Sequence, residues 1–387
     1  MIAGILFGFL PLAVWLYLLL FHRGFWRLRE RDTLSVREPD RWPSVVAVVP
    51  ARNEADVIQR SLGSLIAQDY PGPFHIVLVD DQSGDGTADL ARALNAPRLT
   101  VLTGADRPAG WTGKLWAMHQ GSEHAALRAP EFIWFTDADI AHTPENLSRL
   151  VARAEEGGMV LVSLMARLSC KTASEHFLIP AFVFFFDMLF PFGAVNDPKS
   201  KVAAAAGGCM LARRGALEKA GGIAAIRHNI IDDCALGRAM KQQGPIWLGL
   251  TDRALSLRPY EHLSDIRQMV ARSAYAQLNY SPLLLVGTLL ALMMVYIAPV
   301  MTALFAWGIS QLAGWAAWLI MAVMFQPILR FYRLSPLWGA ALPLIGAFYA
   351  AFTLESAIQY WSGKGGMWKG RAQAGAEKAN AGGSEKT

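Results

Sequence analysis

The sequence has 387 residues, of which 53% are hydrophobic and only 17% are charged, with 13 tryptophans. This composition excludes an ordinary soluble enzyme. The formal net charge of +5 comes largely from Arg and Lys next to apolar segments, so it indicates attraction to anionic lipid head groups and no nucleic-acid partner. The three cysteines have no C-x-x-C spacing, which suits a reducing cytosol and argues against a disulfide framework or a structural zinc site.

The chain begins with an uncharged apolar run over residues 2–21, which is long enough to span a bilayer. Arg23, Arg27, Arg29 and Arg31 follow it directly. A signal peptide would carry its positive charge before the apolar run, so we expect an uncleaved transmembrane anchor. The positive-inside rule then places the N-terminus outside and the following chain in the cytoplasm.

Two to three further transmembrane segments are predicted within residues 282–358, at about 282–307, 312–330 and 337–358. One anchor and three such spans would place the C-terminal tail outside. The basic residues of that region favour the cytoplasm instead: Arg330, Arg333, Lys364, Lys369 and Arg371. Either the last segment is re-entrant or one assignment is wrong. Residues 372–387 are rich in Ala, Gly, Glu and Lys and are predicted to be disordered.

Residues 42–280 are predicted to form one α/β domain. Four short apolar runs alternate with helical stretches and read as strands: Ser44–Pro50, His75–Val79, Leu99–Leu102 and Phe132–Phe135. This alternation predicts a Rossmann-like, mainly parallel sheet, which binds ligands at the carboxyl ends of its strands. Three polar groups follow strands there: Pro50–Glu54, Asp80–Asp81 and Asp137–Asp139. No G-x-G-x-x-G follows the first strand, which argues against a dinucleotide fold.

Asp137 and Asp139 are the most informative of these residues. Their i, i+2 spacing directs both carboxylates to the same side of an extended chain. Two acids at the end of an apolar strand repel each other and are costly to desolvate. A divalent cation on a phosphate-bearing ligand would remove that cost. The alternative is a turn with two solvated acids.

Five motifs occur in an order that resembles the family-2 glycosyltransferases of GT-A fold. They are Pro50-Ala51-Arg52-Asn53-Glu54, Val79-Asp80-Asp81 with Asp85-Gly86-Thr87, Gly113-Lys114, Asp137-Ala138-Asp139 and Asp232-Asp233 with Leu236-Gly237. The resemblance covers roughly residues 44–275. The stretch Arg107–Lys114, the apolar N-terminus and the C-terminal hairpins resemble the hopene-associated glycosyltransferases of hopanoid-producing bacteria, and more distantly ceramide glucosyltransferases.

The resemblance implies inverting transfer of a sugar from a nucleotide diphosphate sugar. It implies that the donor contacts Pro50, Arg52, Asn53, Glu54, Asp81, Lys114 and Asp137, and that Asp139, with Asp137, holds Mg²⁺ or Mn²⁺ on the diphosphate. Asp233, next to Asp232, aligns with the catalytic base. The alternatives are that Lys114 is a solvated loop lysine and that the Asp232-Asp233 pair caps a helix; the last reading is compatible with catalysis.

The acceptor side is assigned by resemblance to Gly207, Gly208 and Cys209, where glycine permits close backbone approach; the alternative is an ordinary tight turn. Processive members of the family carry Q-x-x-R-W after the base. Here Arg272 is followed by Ser273 and preceded, three positions earlier, by Met269. This departure favours a single transfer, with Arg272 as a candidate contact to the diphosphate.

The very apolar stretch 177–192 is interrupted by Pro180, Asp187 and Pro191. We expect an interfacial helix on the membrane, with a buried packing helix as the alternative. A lipid acceptor, such as a hopanoid or related terpenoid, would suit it; a polyprenyl phosphate or a ceramide-like lipid are the rivals. A different class of function is a non-catalytic scaffold for lipid biosynthesis. The expected location is the bacterial inner membrane, as a multi-pass protein with a cytoplasmic catalytic domain.

Overall fold

The computed structural model describes residues 2–33, 35–363, 367–368 and 371–372. Lys364, Lys369 and residues 373–387 of the predicted disordered tail lie outside the described residues. The chain divides into two compact units. The sheet unit contains Glu30–Ser169 and Ala194–Pro259, and the helical unit contains Met1–Arg29, Cys170–Gly193 and Tyr260–Gly365. The domain expected at 42–280 therefore contributes two of its segments to the helical unit.

The sheet unit is built on one eight-stranded sheet with strand order β3-β2-β1-β4-β7-β6-β8-β5. In chain order, β1 to β8 are Val45–Ala51, Phe74–Asp80, Leu99–Thr103, Phe132–Thr136, Ile140–His142, Leu161–Arg167, Cys209–Arg213 and Ile246–Ser256. A separate antiparallel pair joins β9 (Met367–Trp368) to β10 (Arg371–Ala372).

The first four strands confirm the predicted parallel arrangement. Strand β1 pairs in parallel with both β2 and β4, and β2 pairs in parallel with β3. Every residue of β1 is buried, which is why its sequence is a continuous apolar run without alternation. Beyond β4 the sheet becomes mixed, because β7 is antiparallel to both β4 and β6.

The helices of the sheet unit cover its strands with apolar faces. Ile58, Leu62 and Leu65 on one of them are fully buried against the sheet core. The helices are Ile58–Ile66, Thr87–Arg92, Gly113–Ala126, Asn146–Glu156, Arg214–Lys219 and Asp232–Lys241, with a 3-10 turn at Ile223–Ile226.

The helical unit contains the apolar segments. Its helices are Ile2–Leu20, Ala173–Leu189, Leu263–Ala271, Ala274–Gln277, Pro282–Leu292, Ala298–Phe305, Ile309–Met324, Gln326–Phe331 and Leu342–Trp361. A π-helical stretch (Met293–Ile297) and two 3-10 turns (Phe25–Arg27 and Pro336–Ala341) connect some of them, and a short helix at Phe192–Val195 leads back to the sheet unit.

Among the described residues, four helical segments are long and apolar enough to cross a membrane. Three of them, Pro282–Phe305, Ile309–Phe331 and Pro336–Trp361, agree with the segments predicted from the sequence. The fourth is Ala173–Val195. The N-terminal run forms the expected helix Ile2–Leu20, of which Phe9–Leu20 counts as a shorter apolar helix, so its role as an anchor stays a prediction.

The sheet excludes a complete membrane crossing by the segment Ala173–Val195. Strand β6 precedes the segment and β7 follows it, yet β6 and β7 are hydrogen-bonded neighbours. Two paired strands must lie on the same side of a bilayer, so the chain must return to the side from which it left. Length and composition alone therefore overstate the number of spans here. Because 67% of the apolar 18-residue window of this segment is buried inside the structure, the buried packing helix is favoured over the predicted interfacial helix.

Candidate active site

Two loops at the carboxyl ends of β1 and β2 are held together by hydrogen bonds. The Asn53 backbone N–H donates to Ser83 Oγ at 2.9 Å, and the Glu54 N–H donates to Thr87 Oγ1 at 2.8 Å. Asn53 has a φ of 49°, a left-handed conformation that asparagine tolerates better than most residues. These bonds fix the loop that carries three of the predicted donor contacts, Arg52, Asn53 and Glu54.

The residues predicted to contact the donor at the ends of β1 and β2 differ in their burial and in their partners. Asp81 is buried, and its Oδ2 lies 3.5 Å from Arg52 Nη1. The Arg52 guanidinium also donates to the Asp81 carbonyl. Pro50 belongs to β1 and is buried opposite Val79. Asp81 and Arg52 therefore form an ion pair at the end of β2, and their polar groups are already positioned there to contact a ligand.

Lys114 joins the two acidic motifs that were far apart in the sequence. It lies in the first turn of the helix Gly113–Ala126, whose Thr112 N-cap accepts a hydrogen bond from the Leu115 N–H. Its Nζ lies 2.8 Å from Asp137 Oδ1 and 3.1 Å from Asp232 Oδ2. The solvated-loop alternative for Lys114 is thus wrong, because the ammonium group is a bridge between β4 and the helix Asp232–Lys241.

Asp233 is held by backbone donors. Its Oδ2 accepts a hydrogen bond from the Gly207 N–H at 3.0 Å, and its Oδ1 accepts one from the Cys234 N–H at 2.7 Å. Asp232 and Asp233 both lie in the first turn of their helix, where a carboxylate interacts favourably with the helix dipole. The helix-cap reading and the catalytic reading are therefore compatible.

The charges of this cluster shift one another's protonation. Burial, then the neighbouring Asp232 carboxylate, raise the pKa of Asp233 to about 6, against the lowering effect of Lys114. Burial also raises the pKa of Asp137, which Lys114 opposes. Burial alone would lower the pKa of Lys114, but Asp137 and Asp232 raise it above its ordinary value. Lys114 is consequently a permanent cation, and Asp233 is a carboxylate with unusual affinity for a proton.

The three predicted acceptor-side residues separate in the structure. A Cβ added at Gly207 would lie 3.4 Å from Lys114 Nζ and 3.5 Å from Asp233 Oδ2, so this glycine borders the charged cluster. Cys209 lies in the core, where its Sγ accepts from Trp134 Nε1 at 3.4 Å. Burial raises the pKa of its thiol to about 12. The Cys209 side chain is therefore a packing group, and its backbone continues the strand behind Gly208.

A buried series of hydrogen bonds stabilises the end of β4, directly before Asp137. Thr136, the residue before Asp137, donates through Oγ1 to the Gly208 carbonyl at 3.0 Å. Its Oγ1 also lies 2.8 Å from His142 Nε2, and His142 Nδ1 lies 3.0 Å from Asn146 Nδ2. Burial lowers the pKa of His142 to about 3, so the ring is neutral and donates from Nε2. This series of hydrogen bonds links the end of β4 to Gly208, the neighbour of the Gly207 whose N–H binds Asp233.

Arg258 is a site residue that the sequence analysis missed. Its Nε lies 2.9 Å from Asp139 Oδ2, and its Nη2 lies 3.0 Å from Glu54 Oε1. Arg258 follows β8 and is far from both partners in the sequence, so no local pattern marks it. Arg272, which was predicted to contact the donor, belongs to the helical unit at the C-cap of the helix Leu263–Ala271, and its role stays a prediction.

The aspartates fit a hard divalent cation only with help from a ligand. Within the part of the chain that the structure describes, no set of three or more His, Cys, Asp or Glu side chains is arranged to hold a metal ion. Mg²⁺ is commonly bound by one or two carboxylates together with substrate phosphates and water. Asp137 and Asp139 supply such a pair, and one oxygen of each is already ion-paired, to Lys114 and to Arg258.

Comparisons with known proteins agree with this geometry. Residues 46–221 match the family described as "Glycosyl transferase family 2". The succinoglycan biosynthesis protein ExoO of Rhizobium meliloti is 33% identical over 121 residues, which is 31% of this chain and 32% of that protein. A 4,4'-diaponeurosporenoate glycosyltransferase of Staphylococcus aureus is 37% identical over 97 residues, 25% of this chain and 24% of that protein. The matches thus span a third or less of these relatives' length.

Among solved structures, a mannosyltransferase from Pyrobaculum calidifontis in complex with GDP-Man and Mn²⁺ has a TM-score of 0.55 at 19% identity, and the likeness covers 92% of this chain and 96% of that one. At this identity the likeness concerns the fold. Residues 46–221 thus match the glycosyltransferase family 2 model, and the chain shares the fold of this solved mannosyltransferase.

Proposed function

We propose that the protein is a membrane-bound, inverting glycosyltransferase. It transfers one sugar from a nucleotide diphosphate sugar to a lipid acceptor, which we propose to be a hopanoid or a related terpenoid lipid. The observation that carries the proposal is the bridge made by Lys114 between Asp137 and Asp232. This bridge brings a carboxylate pair suited to a diphosphate-bound cation next to a carboxylate that can accept a proton.

The donor half of the site consists of the β1 and β2 loops and the end of β4. Asp81, Arg52 and Asn53 provide polar groups for the nucleoside. Mg²⁺ or Mn²⁺, when bound through Asp139 and Asp137, would neutralise charge that develops on the departing diphosphate. Lys114, a permanent cation beside Asp137, adds a second positive charge near the same position.

Asp233 is the proposed base. Its carboxylate takes the proton of the acceptor hydroxyl while the acceptor oxygen forms a bond to the anomeric carbon of the sugar. The bond from that carbon to the diphosphate breaks on the opposite face, which inverts the configuration. A pKa near 6 suits this role, because the group is mostly ionised at neutral pH and still has a useful affinity for a proton.

A lipid acceptor is supported by the apolar segments and by one group of relatives. The relatives of Staphylococcus are named for transfer to 4,4'-diaponeurosporenoate, a carotenoid. Besides Ala173–Val195, three segments among the described residues are long and apolar enough to cross a membrane. We propose a cytoplasmic catalytic domain at the bacterial inner membrane.

The direct test is a thermal-shift screen of nucleotide sugars with the full-length protein in detergent. Each sugar is tested with Mn²⁺ and with EDTA, and the hit is then incubated with membrane lipids, which are extracted and analysed for a glycosylated product. We expect one nucleotide sugar to stabilise the protein only when Mn²⁺ is present. If none binds in a metal-dependent manner, the scaffold function replaces the enzymatic one.

A polyprenyl phosphate acceptor is the rival within the same class. A phosphate oxygen is already ionised and needs little assistance from a base. Turnover by Asp233→Asn close to that of the unmodified protein would therefore indicate a phosphate acceptor. Loss of turnover with donor binding retained would indicate a hydroxyl acceptor.

A further inference from the structure

The pairing of β5 with β8 places Arg258 beside Asp139, the second aspartate of the loop that follows β4. Ile140 pairs with Ser256 in the antiparallel ladder. The next hydrogen bond along this edge runs from the Leu257 N–H to the Asp139 carbonyl at 2.8 Å. Arg258 is the following residue, so the sheet itself fixes its backbone against the proposed metal-binding position.

The guanidinium of Arg258 connects two carboxylates. Its Nη2 lies 3.0 Å from each oxygen of Glu54, and its Nε lies 2.9 Å from Asp139 Oδ2. The side chain of Arg258 is 36% exposed, whereas those of Glu54 and Asp139 are 11% and 20% exposed. Glu54 and Asp139 are thus largely enclosed, and the arginine reaches them from the open side.

This contact uses the carboxylate that a metal ion would also bind. Arg258 donates to Asp139 Oδ2 through an ion-paired N–H group, whereas a divalent cation would accept electron pairs from the same carboxylate. Two cations on one carboxylate repel each other, so each weakens the binding of the other to Asp139. A guanidinium is also well matched to phosphate, because its planar N–H groups can donate two parallel hydrogen bonds to one oxyanion.

We propose that Arg258 is a diphosphate-binding residue that neutralises Asp139 before the donor binds. This inference rests on the proposed function of the site. The divalent cation displaces the guanidinium from Asp139, and Glu54 retains it within reach of the diphosphate that arrives with the cation. Binding of the metal alone is thereby opposed, and binding of metal with diphosphate is favoured.

The test is a pair of titrations on the full-length protein in detergent. In the first, Mn²⁺ alone is titrated and the free ion is followed by electron paramagnetic resonance. Arg258→Gln removes the competing charge, so we expect Mn²⁺ to bind about tenfold more tightly than to the unmodified protein. If Arg258 merely holds Asp139 in place, the same variant binds Mn²⁺ more weakly, and the proposal is overturned.

In the second titration, inorganic pyrophosphate is added at saturating Mn²⁺ and its binding is followed by calorimetry. We expect pyrophosphate to bind about tenfold more weakly to Arg258→Gln, because one charge-assisted contact is lost. Unchanged pyrophosphate affinity would overturn the phosphate contact. Arg167→Gln, which removes an arginine paired with Asp252 at 2.7 Å, is the matched control and should change neither titration.

Asp139→Asn separates this inference from the proposed function. If this variant binds Mn²⁺ as well as the unmodified protein does, the metal site itself is misplaced and the proposed function is in doubt. If it loses Mn²⁺ while Arg258→Gln gains no affinity, the metal site stands and the exchange by Arg258 is refuted.

Discussion

The two acidic pairs of the site differ in how their charges are balanced. Asp137 and Asp139 are each paired with a cationic side chain, Lys114 and Arg258. In the other pair, Asp232 shares Lys114, whereas Asp233 accepts hydrogen bonds from two backbone N–H groups. Burial raises the pKa of Asp137 while Lys114 opposes that rise, and for Asp233 burial and the neighbouring Asp232 carboxylate together outweigh the lowering effect of Lys114.

This difference assigns a separate task to each pair. Asp137 and Asp139, which follow β4, are each paired with a positive group and can exchange it for a metal ion or for a cation bound to phosphate. Asp233 is poised between ionised and protonated forms near neutral pH, which is useful for a group that moves a proton.

Replacing Asp233 by Asn should remove the base and leave the donor half intact. We expect turnover with a hydroxyl acceptor to fall by about a thousandfold, within the range of general base catalysis. Affinity for the nucleotide sugar with Mn²⁺ should change by less than about twofold. Steady-state turnover measures the loss of the base. A separate titration with the nucleotide sugar measures whether donor binding is retained. A large loss of donor affinity would contradict the separation of tasks.

Replacing Asp139 by Ala should have the opposite pattern. Metal-dependent donor binding should weaken by about a hundredfold, because a ligand of the cation is lost and Arg258 is left without its second carboxylate. Calorimetry with the nucleotide sugar in Mn²⁺ and in EDTA measures this effect. Asp252→Ala, which removes an exposed carboxylate paired with Arg167, is the control. Equal binding in Mn²⁺ and EDTA by the unmodified protein would refute the prediction.

Replacing Lys114 by Met should damage both pairs at once. Asp137 and Asp232 would lose their shared counter-ion, and we expect a loss of about 1–3 kcal/mol in the free energy of unfolding, less than for a fully buried pair. Chemical denaturation of the detergent-solubilised protein measures the loss. Lys199→Met, at an exposed position, provides the matched control. If both variants are equally stable, the bridge contributes nothing to folding.

The pH dependence of the reaction should report Asp233. Below a pH of about 6 the carboxylate becomes protonated, so turnover should fall about tenfold per pH unit on the acid side and level off above neutral pH. Measurement of kcat/KM between pH 4.5 and 8.5 tests this pH dependence. An acid limb that survives in Asp233→Asn would assign the titration to another group.

The ionisation of Asp233 should also affect the free energy of unfolding. Turnover should increase as pH rises, whereas the contribution of Asp233 to stability should decrease. The unfolded-state pKa of an aspartate is near 3.9, and the folded-state pKa of Asp233 is higher. The folded state therefore binds the proton more tightly, and this group's stability contribution declines as pH rises from about 4 to about 6. At pH 7.5, Asp233→Asn should consequently be more stable by about 1 kcal/mol. Denaturation of both proteins at pH 4.5 and pH 7.5 checks the sign.

Gly207→Ala should have the smallest effect. The added methyl group would stand 3.4 Å from Lys114 Nζ and 3.5 Å from Asp233 Oδ2, which is tolerable but alters a tight charged contact. We expect turnover to fall by about fivefold or less, with little change in donor affinity. Gly215→Ala, where an added Cβ meets nothing within 4 Å, is the control. A larger effect at Gly215 than at Gly207 would show that glycine flexibility alone is responsible.

Much of the sheet could be read from local patterns. The predicted strands at Ser44–Pro50, His75–Val79, Leu99–Leu102 and Phe132–Phe135 lie within one or two residues of β1 to β4. These strands are buried in the centre of the sheet or follow short βα units, so their apolar runs are continuous and easily recognised. The strands β5 to β8 were not assigned: β5 has only three residues, and β6 and β8 include polar residues, so they form no continuous apolar run.

In the candidate site, too, local motifs identify some residues, whereas their contacts depend on the fold. Asp137, Asp139 and Asp233 could be proposed from short motifs and from a resemblance that those motifs carry. The ion pairs that define their tasks could not, because Arg258 and Lys114 reach carboxylates on other elements. The Cys209 thiol, assigned to the acceptor side by its neighbours Gly207 and Gly208, lies in the core since alternate residues of a strand face opposite sides.

The order of residues along the chain already specifies which groups must be buried or neutralised: apolar runs that must leave water, and acids at the ends of buried strands that need a counter-charge. Tertiary structure decided which counter-charge each acid received and which apolar helix cannot cross a bilayer. The segment Ala173–Val195 has the length and composition of a span, but the pairing of β6 with β7 requires both of its ends on one side. Such constraints come from long-range hydrogen bonds, and no local window of residues contains them.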